Sequence, residues 1–454
     1  MGLLRRHGWF AGLFALGALL RVVTMLGYRP ALWFPDSYSY IVTVMRPRPD
    51  LVRPAGYSMF MKLLEPLHSF GVVAATQHLL GLAVGALVYW AAVRRAPRWA
   101  AALAAAPVLL DAYQIELEHL LVSDTLFMAL VVAAVVLALR EEPPALAIGL
   151  LLAAAALTRT VGLPLVGLVC LWLLVRRRPR KAVALLVAAL IPIVAYGGWF
   201  YATYQRVGLV GANGVFLYAR TMSFADCARM RPPPDLAVLC DPRPAGQRPP
   251  SQEYVWSRES PLVRLPDETF VKETDDKAMR FALLAIRTQP LDYAASLLGE
   301  LGRTFTWGRP VYPDAEIYAY YQFPAQTPPP PGRYPARVGT EFAREYQQGE
   351  IATRVVEPWA GWMRTYQDFA RLPGAVLLLV LLVPPGVAVA RIWQARRAGR
   401  ERSWSGPPAW ALPWAGAWAL LLMPPAVAEF DYRYVLPAVP LACLAAVLST
   451  PRDT

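Results

Sequence analysis

The chain has 454 residues, of which 56% are hydrophobic and only 17% are charged. A soluble domain carries about 25% charged residues, so this composition argues against a soluble protein and indicates one that lies in a bilayer. The net charge of +13 comes from arginines in short clusters between apolar runs, which is typical of membrane topology signals and argues against nucleic-acid binding.

Apolar segments in chain order predict an all-α polytopic membrane protein with about ten spans. The first segment has no small-residue cleavage site and continues too far for a signal peptide, so we expect a retained helix. Several segments are shorter than the roughly 20 residues that cross a bilayer. The predicted spans are residues 8–28, 70–93, 98–113, 119–139, 145–158, 161–176, 182–203, 373–391, 407–428 and 434–449.

Basic clusters support this span count because they fall at alternate ends of the predicted helices. They are Arg5–Arg6, Arg94–Arg98, Arg140, Arg176–Lys181 and Arg391–Arg402. All of them are cytoplasmic together if both termini are cytoplasmic. The chain then divides into a membrane module (1–203), a mixed extracytoplasmic segment (204–372) and C-terminal membrane helices (373–454), with a first outer loop at residues 29–69.

The first outer loop contains WFPDSYSYI, in which Asp36 lies among aromatic residues such as Trp33 and Tyr38. A carboxylate in partly apolar surroundings can act as a general base on a hydroxyl. Alternatively, Asp36 caps the helix that follows. Both interpretations are compatible with the local pattern.

Four cations near the predicted outer surface are candidates for binding a phosphate. Arg53 and Lys62 belong to RPAGYSMFMKLLEPLHSF, which predicts an amphipathic helix lying on the membrane. Arg21 lies in the outer half of the first span, where it either snorkels or pairs with an anionic head group. Arg159 lies where two short spans meet, and a fixed cation there suits a phosphate leaving group.

The stretch DAYQIELEHLLVSDTLF places several ionisable residues on a tight outer turn, namely Asp111, Glu116, Glu118, His119 and Asp124. We expect Asp111, Glu116, Glu118 and His119 to support an acceptor, together with Tyr38 of the first outer loop and Glu429 near the last span. A divalent cation is the alternative for Glu118 and His119, although no spacing matches a metal motif.

The stretch EFDYRY places Glu429, Asp431 and Arg433 at the outer mouth of the last span. Arg433 is a further phosphate candidate, and a local ion pair between Asp431 and Arg433 is the alternative. The acids and arginines thus collect on the outer side, and the sequence shows neither internal repeats nor acids near the midplane. A transporter would carry such groups there, so an outward-facing enzyme is favoured.

The extracytoplasmic segment is predicted to contain two amphipathic helices that meet at Gln289–Pro290. Cys227 and Cys240 lie in this segment, where an oxidising compartment would permit a disulfide; two free thiols are the alternative. Cys170 and Cys443 lie in predicted spans and are interpreted as small apolar fillers.

Four of these features together resemble the GT-C glycosyltransferases. They are the acidic residue in the first outer loop, RPAGY, a TRxxGL hairpin and a terminal RYxLPxxP. The most similar members are in glycosyltransferase family 39, which includes protein O-mannosyltransferases and aminoarabinose transferases. The likeness covers most of residues 1–203 and 430–450. The loop carries PDS instead of an Asp-Glu pair, which argues against protein O-mannosylation.

The resemblance implies transfer of a sugar from a polyprenyl-phosphate donor to an acceptor outside the cytoplasm, with inversion and with Asp36 as the base. The leaving phosphate needs cations, for which Arg53, Arg159 and Arg433 are the first candidates. No glycine-rich phosphate loop is present, which agrees with a lipid-linked donor. The acceptor is a glycan, lipid, protein or natural product, and a divalent cation is the one cofactor left open. The Ala-, Arg- and Pro-rich composition suggests a bacterial plasma membrane.

Two other functions are compatible with the sequence. A transporter or flippase of lipid-linked sugars would use the same membrane helices and the same donor chemistry. A noncatalytic scaffold would use the extracytoplasmic segment to bind a partner.

Overall fold

The computed structural model, which describes residues 7–330, 334–398 and 406–450, is 69% helical and has almost no strands. Apolar surroundings favour helices because each helix satisfies its own backbone hydrogen bonds. The helices of the first membrane module are α1 (Gly8–Gly27), α2 (Pro35–Met45), α3 (Gly56–Leu64), α4 (Phe70–Val93), α5 (Arg98–Leu110), α6 (Ala112–His119), α7 (Asp124–Ala138), α8 (Ala145–Thr158), α9 (Leu163–Val175) and α10 (Pro179–Tyr204).

Where the structure describes it, the segment predicted to be extracytoplasmic, residues 204–372, also consists mainly of helices. They are α11 (Asn213–Thr221), α12 (Cys227–Met230), α13 (Pro234–Ala237), α14 (Ser251–Trp256), α15 (Lys272–Thr288), α16 (Pro290–Arg303), α17 (Ala315–Ala319), α18 (Tyr334–Gln347) and α19 (Trp359–Gln367). The prediction of a mixed segment is wrong for the residues described. Its single strand is the two-residue β2 (Arg354–Val355), which pairs antiparallel with β1 (Tyr28–Arg29).

The C-terminal region contains α20 (Gly374–Arg397), α21 (Ala411–Val427) and α22 (Val439–Ser449). In the described chain, five helical stretches are long and apolar enough to cross a membrane, and a sixth results if α5 and α6, which bend by 48°, form one broken span. The five stretches are α1, α4, α10, α20 and residues Tyr432–Ser449. Four further apolar helices, α7, α8, α21 and the stretch Thr160–Val175, have 10–17 residues.

Several basic clusters meet at one end of the helix bundle. Arg176 donates to the Arg140 carbonyl over 3.3 Å, Arg95 donates to the Leu139 carbonyl over 3.3 Å, and Arg178 pairs with Glu142 at 2.7 Å. This arrangement is the one that the alternating charges predict. Arg5 and Arg6, together with Arg400 and Arg402 of the last cluster, lie outside the described residues.

The extracytoplasmic segment has its own apolar core. The side chains of Tyr218, Met222 and Phe281 are buried where α11 packs against α15. The predicted disulfide between Cys227 and Cys240 is confirmed, with their Cα atoms 6.1 Å apart. Cys443 is buried and unbonded, and Cys170 is partly buried and unbonded.

Two close backbone contacts position the loops at the end of the bundle away from the basic clusters. A Cβ atom on Gly56 would lie 2.5 Å from the Leu157 carbonyl oxygen, so only glycine lets α3 begin this close to the end of α8. Leu32 donates its N–H to the His119 carbonyl and accepts from Leu121 N–H, at 3.0 and 3.1 Å. The loop before α2 and the loop before α7 are therefore joined through the main chain.

Candidate active site

Asp36 lies in the first turn of α2, which begins at Pro35 where the missing N–H costs no hydrogen bond. Ser37 makes the cap instead, because its hydroxyl accepts from the Phe34 N–H over 3.0 Å and donates to the Leu121 carbonyl over 2.8 Å. The interpretation of Asp36 as a helix cap is therefore wrong, and its carboxylate is left for other partners.

The carboxylate of Asp36 binds two arginines that come from opposite parts of the chain. Arg53 Nη2 donates to Oδ1, and Arg433 Nη1 lies 3.1 Å from Oδ2. Asp36 is only 8% exposed. Burial opposes its ionisation, but the two guanidinium groups outweigh burial and lower the pKa of Asp36 to about 2. The group is therefore ionised at neutral pH.

A second acid–arginine pair lies beside the first. Asp124, at the start of α7, binds Arg159 after the end of α8. Arg433 extends toward this pair as well, and its Nη1 lies 4.0 Å from Asp124 Oδ2. Asp124 Oδ2 is buried and has no hydrogen-bond partner within the described chain. A polar group arriving between the two pairs would find an acceptor there.

Asp431 completes what we call the Asp36 cluster: Asp36, Arg53, Asp124, Arg159, Asp431 and Arg433. Asp431 Oδ1 accepts from the Arg433 N–H over 3.2 Å, and Oδ2 accepts from the Tyr321 hydroxyl over 2.6 Å. Arg433 Nε lies 3.3 Å from Oδ2 but is not aligned for a hydrogen bond. Burial raises the pKa of Asp431 despite these neighbours. Two carboxylates with oppositely shifted pKa values are a common basis for acid–base chemistry.

Aromatic rings surround the cluster. The Arg433 guanidinium lies 4.6 Å from the centre of the Phe34 ring, and that of Arg159 lies 4.7 Å from the Tyr434 ring. Such contacts stabilise a cation by about 0.5–2 kcal/mol and hold its planar group in one orientation. The arginines therefore present their charge in fixed directions.

Three other predicted site residues, Arg21, Glu118 and His119, belong to a separate group inside the helices. Together with His78 they form what we call the inner network. Arg21 binds both oxygens of Glu118, at 2.7 and 2.8 Å. Its remaining N–H groups donate to the carbonyls of Gly17, Leu109 and Val108. All five donors of the guanidinium are thus used, and none is available to a phosphate.

The histidines extend the inner network toward the outer loop. His119 Nε2 donates to the Tyr28 carbonyl over 2.6 Å, so its Nδ1 accepts from His78 Nε2 over 3.0 Å. His78 Nδ1 lies 3.0 Å from Glu118 Oε2, and one proton lies between them. Arg21 lies within α1, as the sequence predicts, and His78 adds a second ionisable residue within a candidate span, α4.

The remaining predicted site residues contact neither group directly. Lys62 pairs with Glu65 at the surface, and Tyr38 is buried in a stack on Trp33 with ring centres 5.0 Å apart. Asp111 caps α6, where its Oδ1 accepts from the N–H groups of Tyr113 and Gln114.

Glu116, which is buried, and Glu429, which is half-buried, are acids with unusual surroundings. The Glu116 carboxylate is 1% exposed, and neither of its oxygens has a hydrogen-bond partner among described residues. Glu429 accepts from the N–H groups of Ser251 and Gln252 at 3.0 and 3.1 Å. Burial, and then the nearby Glu300 carboxylate, raise the pKa of Glu429 to about 7.

The sequence predicted Asp36, Arg53, Arg159 and Arg433 as site residues. It placed Asp124 on the outer turn without assigning it a role, and it paired Asp431 only with Arg433. It missed His78 and Tyr321 entirely. His78 is in an apolar helix, and an ionisable residue there was a signal that could have found it. Tyr321 has no such signal, because only the fold brings it to Asp431.

The described ranges contain no group of three or more His, Cys, Asp or Glu side chains arranged to hold a metal ion. Glu118 and His119, the candidates for a divalent cation, are bound to Arg21, His78 and a backbone carbonyl.

Comparison with known proteins found no protein-family model that matches the chain, no match among curated proteins and no matching solved structure. The geometry of the chain itself therefore carries the functional argument.

Proposed function

We propose that this protein is an integral membrane glycosyltransferase that moves a sugar from a polyprenyl-phosphate donor to an acceptor hydroxyl, with Asp36 as the base. The observation that carries the proposal is the buried Asp36 carboxylate, held between Arg53 and Arg433 in a helical protein with candidate membrane spans. Buried charges are costly, and a paired set at the ends of apolar helices is typical of a functional site.

In the proposed reaction, the acceptor hydroxyl gives its proton to Asp36 while its oxygen attacks the anomeric carbon from the side opposite the phosphate. The bond between that carbon and the phosphate oxygen breaks, and polyprenyl phosphate leaves with its electron pair. Inversion follows from this single displacement. A base with a pKa near 2 is weak, but it becomes stronger when a guanidinium moves from Asp36 to the departing phosphate.

The proposal includes a membrane arrangement. With ten spans, both termini and the basic clusters lie on the cytoplasmic side of a bacterial plasma membrane, and the Asp36 cluster faces outward. The contacts among Arg95, Arg140 and Arg176 at the other end of the bundle support this orientation. The acceptor, a glycan, lipid, protein or natural product, would then approach from the extracytoplasmic side.

The inner network favours a second function, transport of lipid-linked sugars. Transporters bury ionisable groups within their helices, and Arg21, Glu118 and His78 form such a set. The hydrogen bond between His78 and Glu118 favours transport, because it holds a proton between the two side chains. Against it, Arg21 has no free donor for a substrate.

Purified protein incubated with a panel of radiolabelled polyprenyl-phosphate sugars and candidate acceptors tests the proposal, with release of polyprenyl phosphate as the readout. We expect Asp36→Asn to lower turnover of one donor by about 10²–10⁴-fold, the usual contribution of a general base. Asp276→Asn is the matched control, since Asp276 is exposed and paired only with Lys272. Wild-type turnover by Asp36→Asn would overturn the assignment. Sugar translocation in liposomes without a glycosyl product would favour the transporter.

A further inference from the structure

A cavity of about 670 Å³, measured with its open mouth, lies beside the Asp36 cluster. Its walls come from the end of α5, the start of α20 and the turn that leads into α22, with a short segment of the extracytoplasmic region across the mouth. These parts converge at one end of the helix bundle, so the cavity adjoins both the apolar helices and the polar segment.

The cavity has two chemically different parts. Along the helices its lining is apolar and consists of Pro107, Val108, Leu372, Pro373, Leu377, Val435, Leu436 and Val439. At the extracytoplasmic segment the lining carries two arginines, Arg309 and Arg371. A site with a cationic mouth and an apolar groove is complementary to an amphiphile with an anionic head.

The two arginines differ from the others near the proposed site because neither forms an ion pair with a described carboxylate. The Arg309 guanidinium lies 3.7 Å from the centre of the Tyr113 ring, which fixes its plane and leaves its donors for a ligand. Arg371 is exposed at the same mouth. Arg53, Arg159 and Arg433, by contrast, are all bound to aspartates.

One carboxylate, Asp111, also lines the cavity, and its bonds explain why it does not repel an anion. Its Oδ1 accepts from two backbone N–H groups of α6, and its Oδ2 accepts from the Leu372 N–H over 2.6 Å. Both oxygens of the Asp111 carboxylate are therefore hydrogen-bonded to backbone N–H groups. Tyr113 also lines the cavity, and its hydroxyl is buried and unpartnered within the described ranges.

A single layer of side chains separates the cavity from the Asp36 cluster. Tyr432 lines the cavity, and the next residue, Arg433, contacts Asp36. Tyr113 packs on Tyr321 with ring centres 5.6 Å apart, and Tyr321 donates to Asp431. A phosphate at the mouth would therefore place a group attached to it next to the cluster.

We propose that this cavity binds a lipid phosphate, with Arg309 and Arg371 on the phosphate and the long apolar chain in the groove between α5, α20 and α22. The inference rests on the proposed function for its identification of the lipid as the polyprenyl-phosphate part of the donor. It assigns the phosphate of the bound donor to two arginines near the end of the segment 204–372, and a cluster guanidinium then reaches that phosphate only as the bond to the sugar breaks.

Binding of radiolabelled polyprenyl phosphate to the full chain in phosphatidylcholine nanodiscs tests the inference. We expect Arg309→Gln and Arg371→Gln each to weaken binding about tenfold or more, as is usual for lost hydrogen bonds between charged groups. Arg309→Lys should recover part of the affinity. Arg258→Gln is the matched control, because Arg258 is an exposed arginine of the same segment that does not line the cavity. Wild-type affinity in both glutamine variants would overturn the inference.

Competition identifies the ligand. We expect unlabelled polyprenyl phosphate to displace the label, and inorganic phosphate, free polyprenol and phosphatidate each to be at least about tenfold weaker. Equal competition by inorganic phosphate or by polyprenol would show that head and tail are not both recognised and would overturn the inference. Equal competition by phosphatidate would assign the cavity to bulk phospholipid and would overturn it as well.

A steric variant tests the groove without touching a charge. Val435→Trp should weaken binding of polyprenyl phosphate while the protein remains monodisperse in size-exclusion chromatography. Unchanged binding would contradict the placement of the apolar chain.

The failures of this inference and of the proposed function can be told apart. If Asp36→Asn abolishes transfer while Arg309→Gln and Arg371→Gln bind the lipid normally, the cavity assignment fails and the transferase stands. If binding depends on the two arginines but no donor is turned over, the transferase fails and the lipid site stands.

Discussion

The Asp36 cluster and the inner network are both buried sets of arginines and acids, but they differ in how completely their hydrogen bonds are satisfied. In the inner network Arg21 uses every donor and Glu118 is bound on both oxygens. In the Asp36 cluster, Asp124 Oδ2 and Arg433 Nε lack aligned partners among described residues. A saturated network holds helices together, whereas an unsaturated one can receive a ligand.

Position accounts for the difference. The inner network connects the interiors of α1 and α4 to the end of α6, and the side chains of Arg21, His78 and Glu118 are at most 4% exposed. The Asp36 cluster is built from helix ends and loops, where the arginine side chains keep 9–18% of their surface exposed. We therefore expect substitutions in the inner network to act on stability and substitutions in the Asp36 cluster to act on turnover.

The largest effect on stability is expected from Glu118→Gln. It leaves the Arg21 charge buried with no carboxylate, which typically costs about 3–5 kcal/mol. Thermal unfolding of the purified protein measures the loss. The double variant Arg21→Met with Glu118→Leu is the matched control and should be more stable than the single variant, because it removes both charges. A single variant as stable as wild type would remove the distinction between the two regions.

A loss of stability of up to about 3 kcal/mol is expected when Glu429 ionises, at about 1.36 kcal/mol for each unit by which its pKa is raised. Because burial raises its pKa in the folded protein from 4.5 to about 7, the folded state binds more protons than the unfolded state between these pH values. Stability should therefore fall as pH rises from about 4.5 to about 7 and then level off. Unfolding midpoints across this range check the slope, and Glu429→Gln should flatten it. An unchanged slope in the variant would assign the titration to another group.

Asp36→Asn should lower stability by only about 1 kcal/mol, since Arg53 and Arg433 remain partly exposed to water and can be solvated. Thermal unfolding alongside Glu118→Gln gives the comparison directly. A loss as large as that of Glu118→Gln would mean that the Asp36 cluster is structural.

The smallest effect is expected from Tyr321→Phe, which removes one hydroxyl that donates to Asp431. We expect a loss of about 1 kcal/mol, typical of one hydrogen bond, with the packing of the ring on Tyr113 kept. If turnover falls much more than stability, Tyr321 orients Asp431 for the reaction. If both are unchanged, the hydrogen bond contributes nothing to the cluster.

Local sequence patterns predicted the helices, the Gln289–Pro290 break, the disulfide and four members of the Asp36 cluster, because each of these depends on nearby residues. Apolar periodicity and the cost of a charge in lipid are local properties. The pairing of Glu118 with Arg21 is not local, since the partners are 97 positions apart. The same holds for Tyr321 and Asp431, and for the cavity between Arg309 and α22. These contacts depend on how the helices pack against one another, and local sequence patterns do not determine that packing.

The main-chain bonds between Leu32 and the stretch from His119 to Leu121 have a consequence for how this protein can change. They fix the register of the two loops that carry Asp36 and Asp124 without using a single side chain. Point substitutions along either loop would leave the spacing of the two carboxylates intact, whereas one inserted or deleted residue between positions 32 and 36, or between 121 and 124, would move a carboxylate out of place. Homologues with the same chemistry should therefore keep the two carboxylates and the loop lengths, and differ more freely in the other residues of these loops.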